Sequence, residues 1–357
     1  MPGPHPAVAL TRLAVRHGLR RAFARHNPRH GVPRVVVGVS GGADSLALAA
    51  ALAFEAPKQD VEVDVVIVDH GLQKASAEVA ARAANACTEQ LGYAPERVRV
   101  VRVEVEVDAL SADGPEAAAR IARHEALLSV ADEVGAARVV LAHTADDQAE
   151  QVLLALLRGS GTTALAGMRP DRDGLLRPFL LGSDVVPGGP VTREHTEAAC
   201  VALDLEPWHD PHNDDLRYAR VRARRALGLL ERDLDAPTLR RSLFRSAAAA
   251  GRDADLLTRL TDEALTRLTG TPDETQWPAH WPVEALGALD PALRIRALRR
   301  LLVLHGARSS ELAQHHLADV ERLLVAWHGQ GPIDVPGNVV VSRIGGEVVI
   351  GPRNVGQ

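Results

Sequence analysis

Apolar residues along the first 160 positions follow two alternating spacings. Val-rich runs at 34–39 (RVVVGV), 61–68 (VEVDVVIV), 97–105 (RVRVVRVEV) and 137–142 (ARVVLA) are short and rich in β-branched residues, and they predict buried strands. Between them, apolar residues recur at three- and four-residue intervals over about 45–54, 75–92, 115–134 and 146–157, which predicts helices. Strands covered on both faces and separated by helices predict an α/β fold with a parallel, doubly wound sheet. Ligands of such sheets sit beyond the carboxyl ends of the strands, so 40–45, 69–74, 106–120 and 143–151 are the informative segments.

The pattern changes outside this region. Val8, Leu10, Leu13, Ala14, Leu19 and Phe23 recur at helical spacing. The seven arginines and absent acids of residues 1–34 imitate a transit peptide, but no cleavage-like segment follows, so a helix packed on the first domain is expected. Residues 182–190 (GSDVVPGGP) read as a loop, 192–205 as a helix and PWHDPHNDD as a turn. From 216 to 252 ten arginines face three acids; helical patterns then run to about 326, and 333–351 alternates and turns like a small hairpin. The expected organisation is an α/β domain over 1–215 and a mainly helical domain over 216–357 that ends in the hairpin.

Composition narrows the function classes. Hydrophobic residues make up 46% but aromatics only 3%, so Ala, Val and Leu must fill the core. A net charge of −5 excludes a globally basic nucleic-acid coat and leaves RNA binding to local patches. Cys87 and Cys200 are the only cysteines, which excludes a disulfide framework, a C-x-x-C pair and a cysteine-based zinc or iron–sulfur site. No apolar run approaches the roughly 18 residues of a membrane span. A reduced, cytoplasmic protein is expected, with no membrane partner.

The segment Ser40-Gly41-Gly42-Ala43-Asp44-Ser45 interrupts an apolar strand just before a helix. A Walker A loop needs a lysine that is absent here, and Gly38, Gly41 and Gly42 do not fit G-x-G-x-x-G. A plain turn with Asp44 or Ser45 as helix cap explains one glycine and one polar residue, but not a turn made wholly of small and hydroxyl residues. A helix N-terminus that emerges from a strand exposes unpaired N–H groups and favours an anion. Asp44 would repel a phosphate unless a divalent cation sat between them. The composition therefore asks for phosphate together with metal.

SGGADS after a Val-rich strand resembles the pyrophosphate loop of the N-type ATP pyrophosphatases. GPEAAARIARHEAL (114–127), AHTADDQAEQVLLALLRGSG (142–161) and the ordered segments of 167–213, GMRP through TREHTEAACVALDLEPWHDPHN, are similar to the tRNA(Ile)-lysidine synthetases within that superfamily. The likeness spans about 34–225, with Gln151 where the family often has Thr and Thr144 where a second His is common. It implies an adenine nucleotide alpha hydrolase-like fold. It also implies ATP-dependent joining of L-lysine to the wobble cytidine of tRNA(Ile) with a CAU anticodon, through an adenylated cytidine, with AMP and diphosphate released. ATP and Mg²⁺ are the implied cofactors, and a homodimer is implied.

The same resemblance implies the site. Ser40, Gly41, Gly42, Ala43, Asp44 and Ser45 would bind the diphosphate, with Asp69 and His70 on the adenine side. Asp44 and Asp147 would hold metal. Asp44, Arg120, His143, Asp147 and Glu150 would be catalytic, with Arg120 offering a fork to a phosphate or carboxylate and Glu150 with Asp147 taking the lysine ammonium. His143 and Asp147, four apart, would share a helix face if the helix began near them. Singly, each of these residues is ordinary: acids are common in first helical turns, and a lone His or Arg is more often packed or solvated. Their joint order carries the assignment. For tRNA, the stripe Arg217, Arg220, Arg222, Arg224 and Arg225 and the cluster Arg294, Arg296, Arg299 and Arg300 are the candidate phosphate contacts. The alternatives are a tRNA thiolase of the same superfamily and a non-catalytic ATP- or RNA-binding module.

Overall fold

The computed structural model describes residues 3–26, 31–69, 71, 76–103, 114–159, 161–211, 215–269, 279–309 and 311–353. Two compact units divide the chain, Met1–Ala249 and Ala250–Gln357. The Arg-rich stretch that begins at 216 falls almost wholly within the first unit.

The first unit begins with α1 (Pro6–Ala22), β1 (Arg34–Val39), α2 (Ala43–Glu55), β2 (Glu62–Asp69), α3 (Ser76–Asn85) and β3 (Val98–Arg102). It continues with α4 (Gly114–Glu133), β4 (Arg138–Val140), α5 (Ala145–Leu157), the short α6 (Thr162–Leu165), β5 (Asp171–Arg172), β6 (Leu175–Leu176), α7 (Arg193–Ala202) and α8 (Ala219–Asp233). α9 (Leu239–Thr269) contains the division between the units. The sheet order is β3-β2-β1-β4-β6-β5, parallel throughout except for β5 against β6. Val37 pairs with Val65 on one side and Val140 on the other, so β1 is central. The predicted parallel α/β sheet is present; the β5–β6 hairpin at its edge, two residues per strand, was too short to announce itself.

Both faces are covered, which is why the strands read as continuous valine. Val35, Val37 and Val39 point to a core shared with α1, α2 and α7, whereas Val36 points to the opposite core with Val66, Val139 and Leu127 of α4. The N-terminal segment is a packed helix: Val8, Ala14, Val15 and Leu19 are buried in the first core. Arg16 ties α1 to α2 by a two-pronged bond to buried Glu55, with both N···O distances 2.8 Å. The chain runs from β1 through β2 to β3 on one side and returns to β4 on the other. The crevice at this reversal, between the carboxyl ends of β1 and β4, is where a doubly wound sheet binds ligands.

The second unit contains β7 (Ala279–Pro282), α10 (Val283–Gly287), α11 (Pro291–Leu304), α12 (Gln314–Val325), β8 (Ile333–Val335), β9 (Val339–Ile344) and β10 (Glu347–Pro352). The expected closing hairpin is β9–β10, turned by Gly345 and Gly346 at φ 57° and 90°. It is the middle of a four-stranded antiparallel sheet, β7-β10-β9-β8. Leu298, Leu301, Val320 and Leu323 share its core with Trp281, Val341 and Val348.

The Arg16 hydrogen bond, chiefly, holds the Glu55 carboxyl below its usual range. Such a depressed acid stabilises the fold above its unfolded value, about 4.3, and loses that contribution as pH falls through the folded value. Arg16→Ala should cost about 1–2 kcal/mol at pH 7, discounted because Arg16 is partly solvated and Lys58 remains 3.8 Å from Glu55. Thermal melts of the variant and the parent should converge as pH falls through the lowered folded pKa of Glu55.

Candidate active site

A cavity of about 770 Å³ opens at the β1/β4 crevice. On its floor the 40–45 segment joins β1 to α2. Gly41 takes φ 83°, where side chains are strained, and a Cβ there would lie 3.5 Å from Ala83. Gly42 occupies the cap position of α2 and has no side chain to cover the first helical amides. Ser45 also braces the turn from within. Its hydroxyl accepts the Ser40 N–H at 3.1 Å and donates to Gly42 O at 2.9 Å, which ties the turn together. The Trp208 N–H donates to Gly41 O at 2.9 Å and fixes the turn from the far side.

α5 supplies the second wall. It begins at Ala145, so His143 precedes the helix and the shared helical face expected for His143 and Asp147 does not exist. Both still line the cavity. Asp147 closes a capping box, accepting the Thr144 N–H at 2.8 Å and the Thr144 hydroxyl at 3.0 Å. Glu150, one turn further on, is buried; its Oε1 accepts from Arg224 at 2.8 Å and its Oε2 has no hydrogen-bond partner.

α7 supplies a cation and a hydroxyl that sequence reasoning had not singled out. The Arg193 guanidinium lies 3.9 Å from Asp44, 3.2 Å from Asp147 and 3.6 Å from Glu150. The Arg193 N–H donates to Asp146 at 2.9 Å, and Arg240 meets the other oxygen of Asp146 at 3.1 Å. The Thr196 hydroxyl donates to Asp44. Both residues stand inside the quoted TREHTEAAC segment, but nothing in the local pattern aims them at acids that lie far back in the chain, from Glu150 to Asp44.

The charges follow from this crowding. Burial, then the neighbouring Asp147, push the Asp44 carboxyl up to about 6 against the opposing Thr196 bond and Arg193. Burial would also raise Asp147, but Arg193 and the Thr144 amide hold it below the usual carboxylate range. Burial drives His143 well below an ordinary histidine, aided by Arg177, Arg120 and Arg220, so its imidazole is neutral at physiological pH and its Nδ1 has no partner. Arg120 faces the open cleft, yet its walls and the nearby Arg220, Arg177 and Arg123 bring it down to about 10, still cationic. Arg177 is buried and braced on Arg169 O at 2.9 Å. It is a further cation that the sequence did not mark.

Asp69 borders an adjoining cavity of about 190 Å³ with Ser40, Arg123, Trp208 and Asp210. His70 lies outside the described residues. The arginine stripe does not form one face. Arg220 and Arg224 turn into the main cavity, where Arg224 binds Glu150. Arg217 pairs with Asp215, Arg222 donates to Leu216 O and Arg217 O, and Arg225 is exposed. In the second cluster Arg294 pairs with Glu321, Arg299 holds Leu312 O and Ser309 O, and Arg300 pairs with Asp262. Three of these four are therefore engaged within the second unit itself. Among the described residues no group of three His, Cys, Asp or Glu stands at metal-binding spacing. Nor is any helix among them long and apolar enough to cross a membrane.

A family model described as a PP-loop domain matches residues 10–230, and one described as a TilS substrate binding domain matches 282–345. The chain is 46% identical over 324 residues to a tRNA(Ile)-lysidine synthase of Leifsonia xyli, covering 90% of this chain and 91% of the relative. It is 41% identical over 351 residues to the enzyme of that name in Thermobifida fusca, covering 98% and 99%, and 44% identical over 350 residues to that in Salinispora tropica, covering 96% of each. Among solved structures, a U34-tRNA thiolase from Methanococcus maripaludis with its [4Fe-4S] cluster superposes with a TM-score of 0.50 at 17% identity, over 67% of this chain and 80% of that one. This last likeness concerns the fold alone.

The raised Asp44 pKa has a stability consequence. An acid whose folded pKa lies above its unfolded value, about 3.9, costs stability as pH rises through the interval between them. Asp44→Asn should therefore gain on the parent by about 1–3 kcal/mol between pH 4 and pH 7. Denaturant midpoints at the two pH values check this, and an unchanged difference would refute the raised pKa.

Proposed function

The chain belongs to the tRNA(Ile)-lysidine synthase family, and from that membership we propose the complete reaction and the residues that carry it. The enzyme is an ATP-using ligase that forms lysidine on tRNA(Ile). In the proposed sequence the 2-oxygen of the wobble cytosine of the CAU anticodon attacks the α-phosphorus of ATP and diphosphate leaves. The ε-amine of L-lysine then attacks the adenylated carbon and AMP leaves. The altered base pairs with A in place of G, so decoding moves from AUG to AUA and identity from Met to Ile.

The observation that carries the residue assignments is the convergence of Asp44, Asp147 and Glu150 on one cavity whose floor is an uncovered helix N-terminus. The amides of 41–45 suit the diphosphate, with Ser40 beside them. Asp69 and the adjoining cavity suit the nucleoside. Asp44 and Asp147 fit Mg²⁺: Asp44 is raised because burial and neighbouring acids leave its charge uncompensated, and phosphate oxygens and water would complete such an ion's preferred shell. When bound, Mg²⁺ would offset charge that builds on the phosphates. Glu150, with one oxygen unpartnered, suits the lysine ammonium. Arg120 and Arg220 suit an anionic group, either the α-phosphate or the lysine carboxylate. His143 is too reluctant to protonate for a base at neutral pH, and we assign it a neutral hydrogen-bonding role at the reacting base.

Arg217, Arg222 and Arg225 remain outward-facing candidates for tRNA phosphates, with Arg220 and Arg224 at the mouth of the cleft. The family reading extends to a homodimer, checked by the mass in solution. It also extends to the cytoplasm, which suits two buried, unpaired thiols. The thiolase alternative needs reactive cysteines, whereas burial pushes both Cys87 and Cys200 up to about 12.

The test is incorporation of labelled lysine with ATP and Mg²⁺ into the CAU tRNA and into the same transcript with U at the wobble position. Only the first should be labelled. AMP without lysine transfer would remove the nucleophile assignment, and no AMP with either tRNA would favour a binding module. Asp44→Ala should abolish AMP formation. Glu150→Gln should leave diphosphate release within about threefold while raising KM for lysine on the order of tenfold, the usual cost of a lost charged contact.

A further inference from the structure

The first turn of α7 reads Thr192-Arg193-Glu194-His195-Thr196. A reciprocal cap fixes where it starts: the Thr192 N–H donates to His195 Nδ1 at 3.1 Å, and the His195 N–H donates to the Thr192 hydroxyl at 3.4 Å. That start sets Arg193 and Thr196 three apart, on one side of the helix. From there α7 addresses both oxygens of Asp44, Oδ1 through the Thr196 hydroxyl and Oδ2 through the Arg193 guanidinium. The same guanidinium reaches Asp147 and Glu150 on α5, while the Arg193 N–H binds Asp146.

This arrangement is more than charge neutralisation. A guanidinium is planar and forked, so it bridges carboxylates carried by different elements in a fixed geometry, which the compact, rotating ammonium of a lysine does less well. Arg193 thereby sets the distance between α2, which carries the diphosphate end of the site, and α5, which carries the amine end. It draws Oε1 of Glu150 toward itself, a position shared with Arg224, and leaves Oε2 without a partner. Thr196 is wholly buried, and among the described residues its hydroxyl bonds to one acid, Asp44. Its single proton can serve Asp44 or the nearby Arg193 O, 2.7 Å away, but not both.

We propose that Arg193 is a positioning residue for both half-reactions, acting through Asp44 on nucleotide activation and through Asp147 and Glu150 on lysine, and that Thr196 is a positioning residue for the first half-reaction only. The proposal rests on the two-step reading above. It assigns to one helical turn the register between the two halves of the chemistry.

The test uses the full-length chain with Arg193→Gln, Arg193→Lys, Thr196→Val and Thr196→Ser. Diphosphate release from ATP, Mg²⁺ and the wobble-C tRNA without lysine gives KM for Mg·ATP. Lysine transfer gives KM for lysine, and the rise in melting temperature with added lysine reports binding apart from turnover. Thr196→Val should raise KM for Mg·ATP on the order of tenfold and leave KM for lysine and the lysine-induced shift unchanged, with Thr196→Ser restoring the parent values. Arg193→Gln should raise both KM values by about 10- to 100-fold and abolish the lysine-induced shift, and Arg193→Lys should recover it only in part. Equal losses in both KM values for Thr196→Val, or a lowered melting temperature with both KM values intact for either residue, would overturn the assignment. If Arg193→Gln does not fold, the Thr196 pair and Arg193→Lys decide it. A parent enzyme that releases diphosphate but never takes up lysine would overturn the two-step reading, and the lysine half of this inference with it.

Discussion

Mutual repulsion among Asp44, Asp146, Asp147 and Glu150 is the constraint around which the first unit is organised. Asp44, Asp147 and Glu150 line one cleft with Asp146 beside them, and like charges so crowded oppose one another. The fold opposes this with fixed positive groups: the N-terminal amides of α5, the guanidiniums of Arg193, Arg224 and Arg240, and the Thr196 hydroxyl. Compensation is complete for Asp147, which stays low, and incomplete for Asp44, which is pushed up. That inequality between neighbouring acids separates this cluster from an ordinary surface ion-pair network.

The compensating groups come from elements that reach the cleft for different reasons. α2 and α5 are there because a doubly wound sheet delivers helix starts to its reversal point. α7 is there because its buried Ala199 and Cys200 pack into the core shared by α1 and α2. α8 is there because it packs along α5 and presents Arg224 to Glu150. With few aromatics available, small side chains dominate these contacts, and Ala47, Ala49, Ala51 and Ala199 allow the helices to lie close.

Much of the first unit was legible in the chain. Alternating Val runs and helical spacings placed β1 to β4 and α2 to α5 within a few residues, because burial on both faces leaves a continuous apolar signal. The loop at 40–45 was legible because its backbone demands glycine. The arginines were not. Arg224 and Arg225 are adjacent in sequence, yet one seeks a buried carboxylate and the other solvent, a choice set by the helix's rotation against α5 rather than by composition. Arg193 and Thr196 were equally hidden, since their partners are long-range. Two-residue strands such as β5 and β6 carry too short a pattern to read, and in the second unit β7 follows a stretch with no alternation to mark it.

The Thr196–Asp44 contact joins residues 152 positions apart. Synthesis delivers the 40–45 loop early and α7 late, so a nascent chain that has already completed β1 to β4 still lacks the Thr196 and Arg193 contacts to these acids. A nascent chain that ends just after α5 would therefore hold Asp44, Asp147 and Glu150 without the Arg193, Thr196 and Arg224 groups that face them.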